Sequence, residues 1–116
     1  MAWYLCIKND STKNDKYTFS CKFVYPGTSN SGNISKIIAT ANKDSGADSY
    51  EILIMDKTNG NVIAEMSYTN NDEKEVDLGT LNNIPVNQSQ IDIDIKRTGG
   101  SKKNRVYISS ITLFYE

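Results

Sequence analysis

A period of two runs through nearly the whole chain, and it leaves β-strands as the regular structure the chain can form. QIDIDIKR, 90–97, shows it most cleanly: Ile91, Ile93 and Ile95 share one face, while Asp92, Asp94 and Lys96 share the other. WYLCIK sets Trp3, Leu5 and Ile7 against Tyr4, Cys6 and Lys8. YTFSCKFVY sets Tyr17, Phe19, Cys21, Phe23 and Tyr25 against Thr18, Ser20, Lys22 and Val24. Further strands are expected at ISKIIATA, YEILIMD, NVIAEMSYT, EVDLGTL and RVYISSITLFYE. YEILIMD is apolar on both faces, which suits a central, covered strand. The second half of RVYISSITLFYE is also apolar on both parities.

Polar clusters separate these runs: NDSTKNDK, PGTSNSGN, DSGADS, NNDEKE, NNIPVNQSQ and TGGSKKN. Such clusters are turns and loops. Asn59-Gly60 is the strongest hairpin signal. A hairpin is also expected between the first two strands, and another at TGGSKKN between the last two. TLNNIP is a candidate for a short 3₁₀ turn. About eight strands, spaced by roughly 8–15 residues, are the pattern of a sandwich or barrel. The expected fold is therefore all-β: an antiparallel β-sandwich, jelly-roll-like. With no break in composition, residues 1–116 form one domain in this reading.

Composition narrows the chemistry. The chain has no histidine, which removes the commonest general base and metal ligand. Two cysteines cannot build a four-cysteine zinc site. The formal net charge of -1 argues against a globally basic nucleic-acid binder. MAWYLCIKND lacks the basic start and apolar run of a secretory signal, and no stretch approaches the roughly 20 apolar residues of a membrane helix. The expectation is a protein made in a cytoplasm, with no membrane or nucleic-acid partner and no cofactor. Compartment then favours thiols over a bridge for Cys6 and Cys21. Parity agrees: in the hairpin expected of the first two strands, Cys6 and Cys21 point to opposite faces of one sheet and cannot reach disulfide geometry.

Four features are candidate sites. Asp92 and Asp94 lie on one strand face, their carboxylates about 6–7 Å apart at a rise of about 3.3 Å per residue. That overlaps the spacing of two-carboxylate glycoside hydrolysis, but the alternating isoleucines explain the pair as a solvated face. Lys96, Arg97, Lys102, Lys103 and Arg105 gather around Gly99-Gly100, a turn suited to an anionic partner such as an acidic polysaccharide or a neighbouring subunit. The spacing is not that of a P-loop, and Lys and Arg also serve solubility at such turns. Asp44 and Asp48 in DSGADS are weak candidates for calcium, without EF-hand spacing. Lastly, the chain holds seven tyrosines. Tyr4, Tyr25, Tyr68, Tyr107 and Tyr115 are candidates for stacking on sugar rings or for protein contact.

GTSNSGNISKI, YEILIMDKTNGNVIAE, VDLGTLNNIP and IDIKRTGGSKKNRVYISSITLFY resemble segments of small β-sandwich domains in structural proteins of large double-stranded DNA viruses and tailed phages. The likeness runs from about Gly27 to Tyr115. It implies a non-enzymatic virion component: a minor capsid, capsid-decoration or fibre-tip module. Its partners would be other virion proteins or copies of itself, with a homotrimer as one arrangement, and its location the virion. No catalytic residue comes with the resemblance. Jelly-roll carbohydrate-binding modules share the ending pattern, so a lectin-like module using exposed tyrosines is the competing expectation.

Overall fold

A computed structural model describes the backbone of residues 2–115 and the side chains of 10–115. The strands are β1 (Ala2–Thr12), β2 (Thr18–Tyr25), β3 (Ile34–Lys43), β4 (Ser49–Asp56), β5 (Asn61–Tyr68), β6 (Lys74–Asp77), β7 (Ser89–Thr98) and β8 (Val106–Tyr115). A one-turn helix, α1 (Thr28–Ser31), lies inside the expected PGTSNSGN loop. TLNNIP holds no 3₁₀ turn; Asn83 takes a φ of 55° there instead. No helix is long and apolar enough to cross a membrane among the described residues.

Two antiparallel four-stranded sheets pack face to face, in the orders β1-β8-β3-β6 and β2-β7-β4-β5. This is jelly-roll connectivity. Among consecutive strands only β4 and β5 are hydrogen-bonded neighbours, joined by the Asn59-Gly60 turn. Asp56, at the end of β4, fastens that turn. Its carboxylate accepts from Asn59 N at 3.1 Å and Asn59 Nδ2 at 2.7 Å, and its carbonyl from Gly60 N at 2.8 Å.

Two expected hairpins are corrected. β1 and β2 lie in different sheets, and so do β7 and β8. TGGSKKN is thus a crossing loop between layers, not a hairpin tip. Each of these strands finds its partner far along the chain, β1 on β8 and β2 on β7. Periodicity within a strand carries no information about such a partner. The cysteines do not face opposite sides of one sheet as expected, because Cys6 and Cys21 belong to different sheets. Cys21 is buried, whereas the side chain of Cys6, like that of Tyr4, lies outside the described residues.

The core fills the space between the layers. Ile37, Ala39, Ala41, Ile108, Ile111 and Leu113 come from one sheet, and Phe23, Tyr25, Ile52, Ile54, Ile91, Ile93 and Ile95 from the other. A cross-layer tie closes one end. Tyr50 Oη donates to Asn70 Oδ1 at 2.8 Å, and Asn70 Nδ2 donates to Ala41 O at 2.8 Å. Burial pushes the Tyr50 phenol up to about 12, against the opposing effect of the Asn70 hydrogen bond.

Bulges shift the period in several strands. In β2 the ladder slips at Ser20, so Phe19 turns outward and is 48 % exposed, although its spacing had placed it with Cys21 and Phe23. In β8 the pairing with β3 skips Ser109. Ile108 and Ile111, of opposite parity, therefore both enter the core. That accounts for Val106 and Ile108 against Ile111 and Leu113; Phe114, of the other parity in the second half, is half-buried and outside the core cluster.

Two glycines separate conformational need from crowding. Gly60 has a φ of 74° with open space where a Cβ would stand. Gly100 has a φ of 75°, and a Cβ there would run into the Gly46 carbonyl oxygen. Gly60→Ala is expected to cost about 1 kcal/mol for the left-handed backbone. Gly100→Ala should lose about 1–3 kcal/mol more through overpacking. Urea unfolding midpoints check this, and equal losses would contradict the packing of the 99–105 loop on residues 44–48.

Candidate functional site

The bulge in β8 shapes the outer face of its sheet. With Val106 and Ile108 directed inward, Tyr107 and Ser109 are directed outward. Register places Ser11 of β1 and Asn42 of β3 on either side of Tyr107. A groove of about 530 Å³ runs over this row, lined by Asp10, Ser11, Asn42, Glu73, Tyr107, Ile108 and Ser109. Small-ligand clefts span about 300–1,000 Å³.

Tyr107 is held from beneath. Its Oη donates to Asp44 Oδ1 at 3.0 Å, and Asp44 Oδ2 accepts from Arg105 N at 2.8 Å. Arg105 then donates from Nη1 to Ser11 Oγ at 3.1 Å, so the network returns to the groove wall. The hydrogen bond to Asp44 raises the Tyr107 pKa, helped by burial and the Asp44 charge and opposed by Arg105. The remaining lining is rich in acceptors. Asp10 Oδ1 accepts from Ser11 N at 2.8 Å, and Ser109 Oγ lies 3.2 Å from Thr40 O and 3.3 Å from Glu73 Oε1. Asp10 Oδ2 and Glu73 Oε2 have no protein donor among the described residues. Outward carboxylate, amide and hydroxyl groups beside one fixed aromatic ring suit a ligand with many hydroxyls and an apolar flank.

Tyr25, Tyr68 and Tyr115 do not form an exposed platform. Tyr25, expected as a surface candidate, is fully buried and donates to Gly32 O at 2.6 Å. It shares the inward face of Cys21 and Phe23, so its own alternation carried that signal. Tyr68 packs its ring 5.4 Å from that of Tyr50 and donates to Asp77 O at 2.5 Å; burial, then Tyr50 and Asp77, push its phenol up. Tyr115 is half-buried, with its ring 6.3 Å from Tyr25. Of the tyrosine candidates with described side chains, Tyr107 alone lines a described cavity.

The basic cluster disperses in space. Lys96 lies on the outer face of the other sheet, 3.0 Å from Glu51 Oε2 and 4.6 Å from the centre of the Tyr17 ring. Arg97, expected at the surface, is only 4 % exposed. The alternation that sends Ile91, Ile93 and Ile95 inward sends Arg97 inward too. Arg105 reaches β1, while Lys102 and Lys103 remain exposed.

The carboxylate candidates separate likewise. Asp44 uses both oxygens on protein donors, and Asp48 is exposed. Among the described residues no three His, Cys, Asp or Glu side chains converge as a metal site. Asp92, expected in water, is 8 % exposed and accepts from Gln90 Nε2 at 2.8 Å. Burial pushes the Asp94 carboxyl above its ordinary 3.8, Asp92 adds to the push, and Lys57 opposes it. Neither described cavity is lined by Asp92 or Asp94.

This architecture has solved counterparts. One is the CBM36-1 domain of a multidomain xylanase from the hindgut metagenome of Trinervitermes trinervoides, at a TM-score of 0.62 and 8 % identity, covering 97 % of this chain and 86 % of that one. Another is a carbohydrate-binding module, CBM36, in complex with calcium and xylotriose, at a TM-score of 0.52 and 11 % identity, covering 93 % of this chain and 100 % of that one. Identities this low establish a shared fold. No protein-family model matches the chain, and no curated protein does.

Two titrations test the electrostatics. Asp44→Asn keeps the shape but removes the charge, so the Tyr107 phenol should ionise at lower pH in an ultraviolet absorbance titration; an unchanged curve would contradict the pairing. Asp94 binds its proton more tightly folded than unfolded, so its contribution to stability is fullest below 3.8 and declines as pH rises through the raised value. Asp94→Asn should therefore gain thermal stability over the parent near pH 7 and lose that advantage at about pH 3.

Proposed function

We propose that this chain is a non-catalytic carbohydrate-binding module whose sugar site is the groove over Tyr107. The observation that carries this reading is the groove itself: one aromatic ring fixed by Asp44, flanked by Asp10, Ser11, Asn42, Glu73 and Ser109. The Tyr107 ring offers an apolar surface to the C–H face of a pyranose. The carboxylates and the Asn42 carbonyl accept from sugar hydroxyls, and the serines both donate and accept. A rigid sheet holds these groups in place before the ligand arrives, which lowers the ordering cost of binding. The jelly-roll counterparts support the choice of ligand class, since both are carbohydrate-binding modules. Among the described residues no three His, Cys, Asp or Glu side chains converge, and the groups assigned to the sugar here are those of the groove lining.

A virion structural role is the second reading, and a virion location goes with it. It draws on the jelly-roll order, which capsid and lectin domains share, and on the outward Phe19 and Val24, 48 % and 60 % exposed on one sheet face. Light scattering at high protein concentration tests it: a trimer that Phe19→Ser disperses would favour it, and a monomer throughout would count against it.

For the main reading, xylo-oligosaccharides are the first probes, followed by a glycan array and isothermal titration calorimetry on any hit. Tyr107→Ala should weaken binding at least tenfold, the equivalent of about 1.4 kcal/mol. Tyr107→Phe should retain most of the affinity, because the ring rather than the hydroxyl meets the sugar. Binding that survives Tyr107→Ala, or no binding to any glycan, would overturn the assignment.

A further inference from the structure

The interior end of β7 poses an electrostatic problem that the sugar groove leaves open. Arg97 carries an obligate positive charge at 4 % exposure. Its Nε donates to Lys13 O at 3.1 Å, and its Nη1 to Gly99 O at 2.6 Å and Gly100 O at 3.3 Å. Its backbone N donates to Asn14 O at 2.8 Å. These bonds tie the 13–17 connector to the 99–105 loop. They are made to carbonyls, and among the described residues no carboxylate pairs with the guanidinium within 4.0 Å. The ion pair found among the described residues joins Lys96 to Glu51 instead. The Arg97 Nη2 donors have no protein acceptor among the described residues.

Arg97 lines a cavity of about 410 Å³ together with Lys13, Asn14, Asp15 and Lys102. Three cations thus face one carboxylate, and Asp15 forms no ion pair with any of them within 4.0 Å. A buried cation without a counter-charge is costly, and two lysines beside it add repulsion. An oxyanion in the cavity relieves both at once, accepting from Arg97 Nη2 and from the lysine ammonium groups through charge-assisted hydrogen bonds.

We propose that the cavity between the 13–15 and 97–102 segments is an oxyanion-binding site, with Arg97 as its buried anchor and Lys13 and Lys102 as its accessible arms. The ligand group is a carboxylate, sulfate or phosphate, either free or carried on an acidic saccharide. The site does not depend on the sugar-binding reading, because among the described residues it shares no lining residue with the Tyr107 groove.

Arg97 also holds two loops together, so the test leaves it intact and changes the arms. The whole chain, uniformly labelled with nitrogen-15, is titrated with sodium sulfate, sodium phosphate or glucuronate, and with sodium chloride at matched ionic strength. Saturable movement of the Arg97 Nε–H signal and the Gly99 and Gly100 amides is expected with an oxyanion and not with chloride. The double variant Lys13→Gln, Lys102→Gln should keep the parent melting temperature without ligand. It should bind at least tenfold more weakly, since the loss of even one hydrogen bond to a charged group has about that effect. Saturation by glucuronate at the same residues assigns a sugar carboxylate, whereas sulfate or phosphate alone assigns a free inorganic ion. Tyr107→Ala should leave these titrations unchanged, which separates this site from the groove. Shifts shared with chloride, or undiminished in the double variant, would overturn the proposal.

Discussion

β8 has to satisfy two hydrogen-bonding neighbours and a hydrophobic core at the same time, and the outer surface of its sheet is shaped by how it does so. It pairs with β1 on one edge and β3 on the other, and both ladders slip near Ser109 and Ser110. A strict alternation from Val106 through Leu113 could not put Ile108 and Ile111 in the core together. The extra residue resolves the conflict, and the strand bends there, as bulged strands do. The same local insertion turns Tyr107 and Ser109 to the outside, where the groove lies. Core packing and the candidate binding surface are thus two results of one irregularity.

Much of this architecture was legible in the residues. Alternation located the eight strands, and Asn59-Gly60 located the one true hairpin. What local pattern could not supply was partnership. β1 and β2 look like a hairpin because they are adjacent and amphipathic, yet each is completed by a strand from the far end of the chain. Bulges were hidden for a related reason: Phe19 and Ile108 obey their own local period, and only the neighbouring ladder shows where a residue has been skipped. Two buried site residues are legible from parity. Tyr25 shares its face with Cys21 and Phe23, and Arg97 shares its face with three isoleucines. Consistent use of parity places both indoors. Asp10, Ser11, Asn42 and Glu73 carried no signal, because they meet through register across three strands and a loop rather than through spacing.

The two cavities differ in the physics they offer. Around Tyr107 the lining is acceptor-rich and contains one apolar ring, an arrangement suited to neutral polyols. Around Arg97 the lining is cationic and contains one carboxylate, suited to charge. Residues 10–15 contribute to both, Asp10 and Ser11 to the first and Lys13, Asn14 and Asp15 to the second. One short stretch at the end of β1 therefore passes from one kind of recognition to the other, and its backbone is fixed by Arg97 on one side and by the β8 ladder on the other.

The pairing of β1 with β8 also sets a timetable. Ala2 lies opposite Tyr115 in the ladder, so β1 cannot take its place until β8 has been made. β4 and β5 can zip together early, because a short turn closes at little entropic cost. Every other pairing waits on a longer loop, and topologies dominated by such pairings fold in milliseconds to seconds rather than microseconds. During synthesis β1 stays without its partner until β8 has emerged, and over that interval its edge is open to aggregation.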